Sequence, residues 1–142
     1  MSKSELYSIE EVAEQLNVTP RTLHYYEEIG LIHPSARTEG GHRLFDQTVM
    51  QTIGHILRLK HHLGASLQEI KTILDAEQAL EKLRESYLRE TSGEEKQHIL
   101  SESIELLQGM VARIDEKVEK LAAMREGFES RLERVKRIKE EQ

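Results

Sequence analysis

Arg21 and Arg43 are the side chains in this sequence best suited to gripping an anion, and they stand beside groups that could help them. Pro20 at a first helical position, after a Thr19 N-cap, puts Arg21 in the first turn of a helix, where a recognition helix meets base edges and phosphates. A guanidinium there can fork onto a phosphate or onto guanine. Three and four residues on lie His24 and Tyr25. Tyr25 and Tyr26 are neighbours, so they point about 100° apart on a helix. One can donate its hydroxyl to a phosphate while the other packs inside. Arg37 and Arg43 flank a Gly40-Gly41 pair, in a stretch where short apolar pieces border helix breakers. Such a hairpin lies along a nucleic-acid backbone, so phosphate contact by both arginines and by His42 is natural. Gly40 and Gly41 read as turn formers with positive φ. Lys60 could reach a flanking phosphate. Thr19, Thr22 and Gly41 complete this nucleic-acid-contacting set.

Other chemistry finds little support. There is no cysteine, which removes disulfides, thiolate metal sites and a cysteine nucleophile, and agrees with a reducing cytoplasm. His61 and His62 are adjacent and cannot share a helical face; His55 and His62 could, but no third ligand joins them, so no metal or cofactor is expected. Glutamates lie beside Lys and Arg on helices, as on solvated faces, and no phosphate-cradling loop or nucleophile elbow is present, so an enzyme is not expected. The amino-terminal stretch lacks the apolar core of a secretion signal, and no apolar run approaches the roughly 20 residues of a membrane span. A cytoplasmic protein is the expectation. The formal net charge of −6 is shared equally: residues 1–75 hold 7 Lys+Arg against 10 Asp+Glu, and residues 76–142 hold 13 against 16. Any nucleic-acid binding must come from local placement of cations.

The positioning elements follow from caps and periodicity. Ser8 and Glu11 form a capping-box pattern, and Ile9, Val12, Ala13 and Leu16 recur on one helical face until Asn17. The second helix runs from Pro20 to about Ile29, with Gly30 as its stop; two short helices so joined make a helix-turn-helix. Leu31 to Phe45 predicts a small β-hairpin, or wing. Asp46 caps a third helix over about 47–63, with Val49, Ile53, Ile56, Leu57 and Leu63 inside and Gly64 after it. Ser66 and Glu69 open a short fourth helix through Leu74. A separate amphipathic helix follows, with a break at Thr91-Ser92-Gly93.

Beyond that break the chain reads as one helix with a stripe at steps of four and three: Leu100, Ile104, Leu107, Val111, Ile114, Val118, Leu121, Arg125, Phe128, Leu132 and Val135. Ten of these eleven are apolar, which a 37% hydrophobic chain would not sustain by chance. So narrow a stripe seeks another helix, as in a coiled coil, and no second helix of matching length is present. A second copy of the same helix is the expected partner. The fold class expected is mainly α: a winged helix-turn-helix over 1–75, an inserted helix and linker over 76–93, and a long coiled-coil dimerisation helix over 94–142.

Four stretches, Tyr7–Ala13, Val18–Leu31, Arg37–Phe45 and Leu63–Leu74, resemble in order and spacing the DNA-binding domain of the MerR family of transcription regulators. The resemblance implies a homodimer joined by an antiparallel pair of long helices. It implies binding to an inverted repeat in double-stranded promoter DNA, which is bent and untwisted, with RNA polymerase engaged at that promoter. It favours Tyr25 as the outward tyrosine. His24 stands where the family often has Arg, His42 where Tyr is common in the wing, and Phe45 replaces a common Tyr. Without cysteines the thiol-based metal and redox sensing of many members is closed. Two readings of the signal stay open: a small apolar effector lined by Arg125, Phe128, Tyr87 and Leu88, or no ligand, with Arg125 setting coil register and Tyr87 packing on the fourth helix. A coiled-coil adaptor whose helix-turn-helix does not bind DNA is the reading from another class, favoured by the acidic balance.

Overall fold

The computed structural model describes residues 5–142, so the first four residues of the stretch read for a secretion signal lie outside it. The order is β1 (Tyr7–Ser8), α1 (Ile9–Leu16), α2 (Pro20–Glu28), β2 (Ala36–Arg37), β3 (Arg43–Phe45), α3 (Gln47–Leu63), α4 (Leu67–Arg89) and α5 (Gly93–Glu141). The chain divides into two units, with the boundary between Asp75 and Ala76.

Local chemistry at the helix ends explains most of the first unit. The Ser8 hydroxyl accepts from the Glu11 amide (3.2 Å) while the Glu11 carboxylate accepts from the Ser8 amide (2.9 Å), so two donors that α1 leaves open are satisfied reciprocally. The same box opens α4, with the Ser66 amide donating to Glu69 at 2.8 Å and the Glu69 amide to Ser66 at 3.1 Å. Asp46 caps α3 by accepting from the Val49 amide at 2.9 Å. Asn17 and Gly64 end their helices in the left-handed region, with φ of 56° and 62°. α2 stops at Glu28, one residue short of the expected end, and Gly30 (φ 81°) turns the chain away.

These helices close on one core. Val12, Leu23, Phe45, Ile53, Ile56 and Ile70 are fully buried, one or two from each of α1, α2, β3, α3 and α4. Met50 joins them, whereas Leu63, expected inside α3, is exposed. It is the last residue before Gly64, where the helix has already ended its packed face. Tyr26 is the largest buried side chain, and its hydroxyl has no hydrogen-bond partner among the described residues. An unpaired buried hydroxyl costs about 1–3 kcal/mol. Tyr26→Phe is therefore expected to raise the unfolding free energy by about 1 kcal/mol in urea denaturation; a loss of stability would show the hydroxyl to be bonded.

The wing is more than a hairpin. β3 pairs antiparallel with β2 (Ala36 opposite Leu44, Arg37 opposite Arg43) and on its other edge with β1 (Tyr7 opposite Phe45, Ser8 opposite Leu44), giving the order β1-β3-β2. The strand preceding α1 thus ties the wing to the helix-turn-helix. Of the two turn glycines only Gly41 has a positive φ (82°). Gly40 is ordinary in φ, and a Cβ there would meet the His42 ring at 3.3 Å.

The second unit departs most from expectation. No separate inserted helix exists over 76–93: α4 continues for 23 residues from Leu67 to Arg89. Asp75-Ala76-Glu77-Gln78-Ala79 contains no Gly, Pro or Asn to end it, and the Lys71–Asp75 ion pair (3.2 Å) lies on the turn where the fourth helix was expected to end. Tyr87 is thus part of α4 and cannot pack against it as a separate element; its ring lies under the Lys96 ammonium at 5.1 Å. Ser92 caps α5, whose 49 residues extend about 74 Å at about 1.5 Å per residue.

Candidate nucleic-acid interface

Burial sets the rotation of α2. Leu23 and Tyr26 point into the core, with 0% and 1% exposure, so Arg21, His24, Tyr25 and Glu28 must face outward. Tyr25 is 48% exposed, leaving its hydroxyl available to a phosphate while Tyr26 serves the core. Arg21, His24 and Tyr25 are spaced i, i+3 and i+4, so they share one face. Thr19 begins that helix: its hydroxyl accepts from the Thr22 amide at 3.1 Å and lies 2.9 Å from the Thr22 hydroxyl. Both threonines are therefore committed to the cap, with Thr22 partly buried and Thr19 exposed.

The wing stands beside this face. His24 of α2, Thr38, Gly41, His42, Arg43 and Leu44 of the wing, and Ser8, Ile9 and Glu10 line a recess of about 280 Å³. The two histidines singled out from sequence, 18 positions apart, thus share one depression at the rim of the helix face. The wing turn is held by the Thr38 amide on His42 O (2.9 Å), the Gly41 amide on Thr38 O (2.9 Å) and the His42 amide on the Thr38 hydroxyl (3.1 Å). Lys60 is exposed near the end of α3 and takes no part in this recess.

Arg37 and Arg43 are not simply displayed to solvent as the sequence suggests. Both engage Glu27 of α2: Arg37 Nη2 donates to Glu27 Oε2 at 3.2 Å, and Arg43 Nε donates to Glu27 Oε1. Arg37 Nη1 also donates to Gly41 O at 3.1 Å. Glu27 escaped the sequence reading because nothing local marks it. It follows Tyr26 on a short helix, and its partners lie ten and sixteen residues away.

On α5 the expected stripe runs along an uncovered face. Exposure is 39% at Leu100 and rises to 60% at Val135, and Ile104, Leu107, Val111, Ile114, Val118, Leu121, Phe128 and Leu132 fall between. Met124 and Ile138, absent from the sequence reading, join the exposed apolar residues. Arg125, the charged member of the stripe, pairs with Glu129 at 2.9 Å, one turn on, and Met124 beside it is exposed. Among the described residues no three His, Cys, Asp or Glu converge as a metal site, and no helix is long and apolar enough to cross a membrane.

Comparison with known proteins agrees with this geometry. Residues 7–77 match the MerR HTH family regulatory protein model. The chain is 35% identical over 134 residues to the HTH-type transcriptional regulator YfmP of Bacillus subtilis, covering 92% of this chain and 96% of that protein. It is 36% identical over 114 residues to the HTH-type transcriptional activator TipA of Streptomyces coelicolor, covering 80% of this chain but only 41% of the relative. It spans 35% of a Bradyrhizobium nodulation protein, NolA, at 42% identity over 83 residues. Among solved structures, the lead-bound transcription regulator PbrR691 of Ralstonia metallidurans shares the fold, with a TM-score of 0.50 and 24% identity over 86% of this chain and 82% of that one. The residues that face outward on α2 and the wing are thus carried on the winged helix-turn-helix of a MerR-family protein, and the chain belongs to that family as a DNA-binding transcriptional regulator.

Proposed function

We propose that the chain acts as a homodimer on an inverted repeat in a promoter, with α2 in the major groove and the wing along the flanking backbone. The observation that carries this is the pairing of one outward face on α2, bearing Arg21, His24 and Tyr25, with an α5 stripe left in water. The stripe residues are about half exposed, so burying each Leu, Ile or Val of it against a second copy is worth roughly 1 kcal/mol. Charge favours the antiparallel sense. Residues 94–105 carry four acids and one base, whereas residues 131–139 carry five bases and one acid. Antiparallel pairing brings these ends together, and parallel pairing sets like against like. The two DNA-binding units of such a dimer are related by a two-fold axis, which an inverted repeat mirrors.

Arg21 supplies the fork to guanine or phosphate, Tyr25 a phosphate hydrogen bond, and the wing residues Arg37, His42 and Arg43 the backbone contacts, with Lys60 further out. A dimer that holds both half-sites can bend and untwist the DNA between them, so part of its specificity is read as deformability. RNA polymerase at the same promoter is the partner that such distortion serves. A small apolar effector on α5 would meet Phe128 with Arg131 over its ring at 5.7 Å, while Arg125 is held by Glu129.

Hydroxyl-radical footprinting on the DNA upstream of the chain's own gene tests this reading. Two protected half-sites in inverted orientation, separated by about one helical turn or a multiple of it, are expected, with altered cleavage between them. One protected site, or a direct repeat, would contradict the two-fold arrangement.

A further inference from the structure

Arg37 and Arg43 are direct cross-strand partners in the β2–β3 pairing. Like charges opposite each other destabilise a two-stranded ribbon. Here a single carboxylate from another element answers both: Glu27 is only 17% exposed, and its two oxygens each accept from a different guanidinium. Arg37 adds a bond to Gly41 O across the turn, so the wing tip, both strands and the last turn of α2 form one linked unit.

We propose that Glu27 is a positioning residue for DNA discrimination: it fixes the wing against the recognition helix by holding Arg37 and Arg43 together. The proposal rests on the reading that the wing lies along the DNA backbone. Held so, the arginines present a defined spacing from Arg21 and His24, and reach phosphates only in the register that also seats α2. Their charge is partly neutralised, which restrains binding to arbitrary DNA. Removing the carboxylate does two opposite things: it frees cations that any duplex attracts, and it abolishes the fixed geometry that only the correct site rewards.

Glu27→Gln in the full chain separates these effects. Hydrogen exchange at the amides of Thr38, Gly41 and His42 is expected to become about tenfold faster, while those of Val12 and Ile53 stay unchanged. Affinity for scrambled duplex rises, the slope of log K against log salt steepens by about one, and the ratio of promoter to scrambled affinity falls about tenfold. Glu27→Asp, which retains the charge, restores slow exchange at the wing amides. In an Arg37→Gln/Arg43→Gln background, adding Glu27→Gln has no further effect on wing exchange, because the carboxylate acts through those two side chains. Unchanged wing exchange in Glu27→Gln overturns the proposal. So does a uniform loss of affinity for both duplexes with an unchanged salt slope. A wild-type chain that binds no DNA, together with a loosened wing in Glu27→Gln, would remove the DNA-contact reading and leave the wing-fixing role standing.

Discussion

Val118→Asp is expected to convert the protein to a monomer and to reduce promoter affinity by about a hundredfold or more, because two linked half-site contacts become one. Val118 lies close to the middle of α5, and its side chain is 57% exposed in the single subunit. If Leu100 of one copy meets Val135 of another in antiparallel register, the two-fold centre falls near Val118. Both copies would then bury a carboxylate against its own symmetry mate. A charge taken out of water without a counterion costs several kcal/mol, far more than one valine contributes. The substitution itself is mild for the helix, since Asp is less favourable than Ala by less than about 1 kcal/mol in a helix interior. Light scattering should therefore give one chain's mass, with helical content retained by circular dichroism. An intact dimer would show that the stripe does not pair in this register.

Arg21→Ala is expected to weaken promoter binding by about 1–3 kcal/mol, which is roughly fivefold to 150-fold. Arg21 is exposed in the first turn of α2, and Leu23 and Tyr26 lock the rotation of that helix, so the arginine cannot swing to another face without unpacking the core. Truncation removes a forked donor, and no neighbour on the same face replaces it: His24 and Tyr25 are shorter in reach or carry a different group. Loss confined to the promoter would identify a base contact. Equal loss on scrambled duplex, with a salt slope lower by about one, would identify a phosphate contact. Unchanged affinity would remove Arg21 from the interface.

What could be read from the residues alone was local. The Ser8–Glu11 and Ser66–Glu69 boxes, the Asp46 cap, and the stops at Asn17, Gly30 and Gly64 all depend on neighbours within a turn, and the structure reproduces each. Which of Tyr25 and Tyr26 faces outward was open from spacing alone and came from the family resemblance; burial of Tyr26 agrees with it. Features set by distant partners were not legible. Tyr7–Ser8 is a strand only because β3 offers it an edge. Glu27 looks like any solvated glutamate until the wing folds against it. The fourth helix was expected to end at Leu74 because the apolar pattern thins there, yet a helix needs a breaker to stop, and none occurs before Glu90. The stripe on α5 was legible as a period, and its one charged position, Arg125, pairs with Glu129 on the next turn.

Fluorescence anisotropy of the purified chain on its own upstream promoter DNA, against scrambled DNA at one physiological salt concentration, tests the central claim most directly. The proposed function predicts tight binding to the promoter at two chains per site, weaker binding to the scrambled duplex, and a steep fall of both with added salt as counterions are released. Absence of binding to either duplex, even at low salt, would contradict it and favour a coiled-coil adaptor built on the same fold.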